Sequence, residues 1–176
     1  MKIRYVALMG LAFLAGCSGP TAAPSATAPG AVDASRAGLR HGSWRHALLQ
    51  PKGRILQWDL RDDFSAAQLS AQPNLLVISS HYRAESFDAP PSEAQQREFH
   101  RYEDALLDAL KGKGELVAVM AGGEQYDWYF YSDSGEALSA ARTPPAPSAE
   151  ADVAISVEAD PQGDFYTKLR SKAQAH

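Results

Sequence analysis

Between Asn74 and Glu158 the spacing of apolar residues alternates between the period of a strand and that of a helix, and the order of these changes restricts the fold more than any other feature. Leu75, Leu76, Val77 and Ile78 mark a strand over 74–82 that is buried at one end. Phe99, Tyr102, Leu106, Ala109 and Leu110 then recur at three- and four-residue spacing, which predicts a helix over 92–111 with one apolar face. Its ends are also signalled: Pro90 and Pro91 precede it, Ser92 and Gln95 form a capping-box pair, and Gly112 follows the last apolar residue. Segments 116–121 and 126–131 flank Gly122-Gly123 and predict a hairpin with those glycines as its two-residue turn. That register sets Val117 opposite Trp128 and Val119 opposite Tyr126, with Leu116, Met120, Tyr129 and Tyr131 on the other side. Asp133 and Glu136 open a short helix to Arg142, and 143–148 is a Pro-rich loop. Val153, Ile155 and Val157 alternate as a last strand, and Phe165 and Leu169, four apart, predict a terminal helix begun by Asp160 as its cap.

Strand, helix, strand, strand, helix, strand is the split βαβ order of ferredoxin-like domains, so the expected class is α+β. Two further strands, 44–49 and 54–60, are separated by Gln50-Pro51-Lys52-Gly53, whose Pro and Gly positions suit a tight reversal. They predict an N-terminal β-hairpin ahead of the ferredoxin-like sheet. A ferredoxin-like sheet carries its helices on one face, so the hairpin is the expected cover for the other.

The beginning of the chain has a different character. Lys2 and Arg4 precede an apolar run over 6–14, which has the length of a secretory signal and is too short for a stable membrane span. Leu14-Ala15-Gly16-Cys17 resembles the cleavage site of bacterial lipoproteins, in which the cysteine becomes the lipid-bearing first residue. The resemblance implies a signal peptide over 1–16, acylation of Cys17 and attachment to the bilayer through it. Several buried chains, at about 0.8 kcal/mol per methylene, make such an anchor effectively permanent. Ser18 stands where an inner-membrane retention signal would place Asp, which points to the outer membrane and the periplasmic side of the envelope. Cleavage removes Lys2 and Arg4 and no acidic residue, leaving 15 basic against 21 acidic residues, a formal charge of −6. Residues 18–37 are mostly Ala, Pro, Ser, Thr and Gly, too poor in bulky apolar groups to form a core, so 17–40 reads as a lipidated disordered linker and 41–176 as one domain. About twenty such residues span roughly 25 Å as a flexible coil.

Tyr126-Asp127-Trp128-Tyr129-Phe130-Tyr131 after a small-residue turn, and Asp160-Pro161-Gln162-Gly163-Asp164-Phe165-Tyr166, resemble a family of bacterial domains of unknown function catalogued with the number 695, related in fold to the regulator of ribonuclease activity B. The resemblance covers most of 44–169 and implies a fold and a binding habit, with no catalytic residues to carry over.

Chemistry is sparse along the chain. One cysteine excludes an intramolecular disulfide or a Cys-based zinc site. The acidic balance argues against nucleic acid as a partner. His41 and His46 are five apart, not the three or four that place two rings on one helix face, so no metal and no cofactor is expected. Gly112-Lys113-Gly114 and Gly122-Gly123 lack Walker spacing and read as turns. His81 could act as an acid or base with Asp127 or Glu85 to orient it, which defines a small-hydrolase alternative, but a solvated or core-satisfied histidine is the plainer reading. Tyr129 and Tyr131 either pack beneath the hairpin or, with His81 and Asp127, present a partner face.

The expectation from sequence is thus a membrane-anchored, periplasmic, non-enzymatic lipoprotein that binds another protein. A more specific form is an immunity or inhibitor lipoprotein whose acidic surface blocks an envelope-targeting toxin enzyme.

Overall fold

The structure, a computed structural model, describes residues 40–86, 89–149 and 151–174. The signal segment, Cys17 and nearly all of the linker lie outside the described residues.

Six strands form one antiparallel sheet: β1 (Trp44–Leu49), β2 (Leu56–Arg61), β3 (Asn74–His81), β4 (Gly114–Gly122), β5 (Gln125–Ser132) and β6 (Val153–Ala159). They lie in the order β1-β2-β4-β5-β3-β6. Four α-helices among the described residues complete an α+β fold: α1 (Ala66–Ala71), α2 (Glu93–Ala109), α3 (Glu136–Ala141) and α4 (Asp164–Gln174). Among the described residues no helix is long and apolar enough to cross a membrane.

Two apolar layers sandwich the sheet. On one face α2 and α3 bring Phe99, Leu106, Leu110, Ala137 and Ala141 against Leu76, Ile78, Trp128 and Phe130. The α2 stripe and its ends match the expected pattern, with Ser92 Oγ accepting from Gln95 N and the Gln95 side chain accepting from Ser92 N. On the other face α1 and α4 bring Leu69, Tyr166 and Leu169 against Leu60, Leu75, Tyr129 and Tyr131. Asp160 starts α4 as expected, accepting from the backbone N–H groups of Asp164 and Phe165.

The N-terminal hairpin is present, but it extends the sheet beside β4 instead of covering a face. A hairpin with a free backbone edge gains ladder hydrogen bonds by pairing edge to edge, and α4 is long enough to roof the tyrosines itself. The turn is a single 3₁₀ turn over Pro51–Gly53, with positive φ at Lys52 and Gly53, so β2 starts at Leu56, later than the pattern indicated. Helix α1 is an addition to the sequence reading. Its capping box, Ser65 with Gln68, has the same form as the one that opens α2.

The β4–β5 hairpin corrects two expectations. Its turn residues are Gly123 and Glu124, with φ of 60° and 63°, and Gly122 still pairs with Gln125. Gly122 serves a different need: a Cβ there would lie 2.7 Å from the Ile55 carbonyl oxygen, where the entry to β2 passes. That turn sets Val119 opposite Trp128 and Ala121 opposite Tyr126, and a β-bulge between Leu116 and Ala118 then shifts the register so that Leu116 faces Phe130. Leu116 therefore joins the α2 face, while Val117, Met120, Tyr129 and Tyr131 share the α4 face.

Candidate functional site

The register of β3 and β5 determines where the sequence-derived candidates meet. Ser79 faces Asp127, Val77 faces Tyr129, Leu75 faces Tyr131 and His81 faces Gln125. Alternation thus puts His81, Asp127, Tyr129 and Tyr131 in one row on the α4 face. Only His81, at the end of β3, is exposed; Asp127, Tyr129 and Tyr131 are buried.

The two tyrosines lie under α4, not under the hairpin. The Tyr129 ring stacks on Phe165 at 4.6 Å, and Tyr131 donates its hydroxyl to Asp160 Oδ2 at 2.5 Å while packing against Phe64. Tyr129 donates to Asp127 Oδ2 at 3.1 Å. Burial pushes the Asp127 carboxyl above the usual carboxylate range, against the opposing pull of the Ser79 and Tyr129 hydroxyls and the nearby His81 ring. Burial and the adjacent carboxylates raise both tyrosine hydroxyls well above their ordinary value, so each acts as a neutral donor. The hydrolase arrangement would need a bond from His81 to a carboxylate, and the hydrogen bonds and ion pairs among the described residues contain none.

A second polar constellation, on the α2 face, escaped the sequence reading. Arg40, assigned to the end of the linker, is 7% exposed, and its guanidinium grips Glu103 through Nε to Oε1 at 2.6 Å and Nη2 to Oε2 at 2.9 Å. Glu103 lies on α2 with no exposed surface and also accepts from Trp128 Nε1 at 3.0 Å. Arg40 Nη1 reaches Asp59 Oδ2 at 2.9 Å, His46 Nδ1 lies 3.0 Å from Asp59 Oδ1, and the guanidinium lies 4.8 Å from the centre of the Trp44 ring. Burial pushes the Asp59 carboxyl up, but the His46 hydrogen bond and the Arg40 charge outweigh it and hold the group below its ordinary range. Burial alone would lower the Arg40 guanidinium, but the Glu103 and Asp59 contacts reverse that and raise it. One sequence signal could have exposed this cluster. Glu103 stands four residues after Phe99 and three before Leu106, so a charge interrupts the apolar stripe of α2 and requires a buried counter-ion.

Beside this cluster, between the end of α2 and the start of β1, lies a cavity of about 210 Å³ lined by Arg40, Trp44, Arg61, Asp108, Lys111 and Glu115. Arg61 is already engaged by Asp63 at 2.9 Å and Glu115 at 2.7 Å. Among the described residues no group of three or more His, Cys, Asp or Glu side chains could hold a metal ion.

Most of the residues that build both faces of this sheet fall within one stretch of sequence similarity: a family of unknown function, DUF695, matches residues 47–169. The chain belongs to the DUF695 family. No curated protein and no solved structure matches the chain. Within the DUF695 span lie Asp59 and Glu103, which accept from the buried guanidinium, and Trp128, which donates to Glu103. Arg40 and Trp44 precede that span, so the DUF695 domain is completed here by the segment leading into it.

Proposed function

We propose that this chain is a lipid-anchored lipoprotein of the bacterial envelope, held through Cys17 on the periplasmic side of the outer membrane, whose domain binds another protein without catalysis. The Leu14-Ala15-Gly16-Cys17 sequence supports the anchoring. The observation that carries the binding reading is that helices roof both faces of the sheet, while β1 and β6 have no further strand on their outer sides among the described residues. His81, Asp127, Tyr129 and Tyr131 contribute to this reading mainly as a packed row under α4, with His81 alone available to a partner. The acidic excess favours the immunity or inhibitor form of this role, because an acidic domain complements a basic enzyme cleft.

We further read β3-α2-β4-β5-α3-β6 as a ferredoxin-like split βαβ unit, fold-related to the regulator of ribonuclease activity B. The strand order β4-β5-β3-β6, with α2 and α3 on one face, supports this reading.

Mass spectrometry and chemical cross-linking in native envelopes test the functional reading together. The expected result is a diacylglyceryl mass on Cys17 and a reproducible cross-linked protein partner, both lost in Cys17→Ser. An unmodified thiol with the initiator methionine retained would refute the anchoring, and an absence of any cross-linked protein would refute the binding role.

A further inference from the structure

The two outermost strands are not equally protected. On β1, exposed Arg45 and His46 are engaged by Asp62 and Asp59, a charged decoration that discourages added strands. On β6, Val153–Ala159 contains no Lys, Arg or Pro and keeps its regular register with β3 over its whole length. Asp160 N donates to the Pro73 carbonyl at 2.8 Å, which sets the parity of the ladder. Ala154, Ser156 and Glu158 therefore bond to β3, and Val153, Ile155, Val157 and Ala159 direct their N–H and C=O groups away from the sheet. The Tyr82 N–H to Glu124 carbonyl bond on the opposite side of β3 has the complementary parity.

The side chains along this edge are sorted as well. Val153 and Ile155 sit partly buried on the α2 and α3 face, and Val157, in the same row, is 43% exposed. Ala154, Ser156 and Glu158 are exposed on the other face. From Thr143 to Thr167 the chain has no Lys or Arg, but it carries Glu150, Asp152, Glu158, Asp160 and Asp164; Lys168 pairs with Asp164 at 3.4 Å and Asp160 is engaged by Tyr131 and the start of α4, which leaves Asp152 and Glu158 as the acidic groups of the strand itself.

We infer that the β6 edge is a strand-addition site for an extended basic segment of a partner protein, in which apolar and Lys or Arg residues alternate. In antiparallel pairing the apolar set lies beside Val153, Ile155 and Val157, and the basic set lies beside Ala154, Ser156 and Glu158 within the acidic field of the surrounding chain. A second copy of this chain fits less well, because a two-fold pairing centred on Ser156 places Asp152 opposite Asp160 of the other copy. This inference rests on the protein-binding reading above and specifies the surface and chemistry it uses.

The test uses the full chain in detergent with a capped peptide of alternating lysine and valine, a matched peptide of alternating glutamate and valine, and amide hydrogen exchange read by NMR. The lysine peptide is expected to slow exchange at Val153, Ile155, Val157 and Ala159, to leave Ala154, Ser156 and Glu158 little changed, and to weaken as salt rises. The glutamate peptide is expected to do none of this. Val157→Pro removes an outward N–H and leaves the β3 ladder intact, and it should lower lysine-peptide affinity about tenfold or more. Protection elsewhere, equal binding of both peptides or undiminished binding to Val157→Pro would overturn the inference. So would concentration-dependent protection of the same amides without peptide, which would identify a second copy as the occupant. An envelope partner that cross-links equally to Val157→Pro would overturn the edge and leave the binding role standing. Loss of every cross-linked partner would sink the binding role, while the peptide experiment would still judge the edge by itself.

Discussion

Replacing Arg40 with alanine leaves the Glu103 carboxylate, which has no exposed surface, without its bidentate counter-ion while it still accepts from Trp128. Breaking a buried ion pair from one side typically costs about 3–5 kcal/mol, because the remaining charge stays desolvated. A domain of this size has about 5–15 kcal/mol of total stability, so the loss is a large share of it. At about 3–5 °C per kcal/mol it lowers Tm by roughly 10–25 °C. Urea unfolding followed by tryptophan fluorescence and circular dichroism measures the effect. The double variant Arg40→Met with Glu103→Met removes both charges and should recover most of the loss, since apolar replacement of a whole buried pair is often neutral. A single variant within about 1 kcal/mol of the parent would refute the reasoning, because a guanidinium that dispensable must already be hydrated.

Asp127→Asn keeps an acceptor for the Tyr129 hydroxyl and removes a carboxyl whose pKa burial has raised. A raised folded-state pKa means that stability is lost as pH rises through it, so the variant's Tm advantage should widen from pH 4 to pH 7; parallel pH curves would contradict this. The reverse sign holds for Asp160, whose carboxyl is lowered despite the opposing effect of burial by the Tyr131 hydroxyl and the α4 N–H groups. Its contribution is present above the unfolded carboxylate pKa and lost as pH falls, so Asp160→Ala should flatten the acid limb of the stability profile. Ser92→Ala should cost about 1 kcal/mol in urea unfolding by removing one half of the α2 capping box. Gly122→Ala brings a Cβ to 2.7 Å from the Ile55 carbonyl at a φ of 145°, and should cost about 1–3 kcal/mol, whereas Gly135→Ala, with open space around it, should be near neutral.

What the sequence determined by itself lies among the features governed by neighbours a few residues apart, although the capping box of α1 and the exact β4–β5 turn went unread. The apolar period and capping box of α2, the alternation of Val153, Ile155 and Val157, and the Asp160 cap of α4 follow from local geometry and local hydrogen bonds, and each is legible in order along the chain. Tertiary structure alone decided the rest. The Val117 bulge moved Leu116 to the α2 face, because register answers to the packing of two facing layers and not to one strand's alternation. Helix α4, not the hairpin, closed over Tyr129 and Tyr131, so residues that share a face in sequence became core instead of surface. Arg40 found Glu103 across 63 residues, a pairing that no local spacing encodes. The open edge of β6 likewise exists only because β1 and β2 pair with β4, leaving the opposite side of the sheet without a further strand among the described residues. Short-range steric and capping terms select the elements, while burial of apolar faces and of charge selects how they meet.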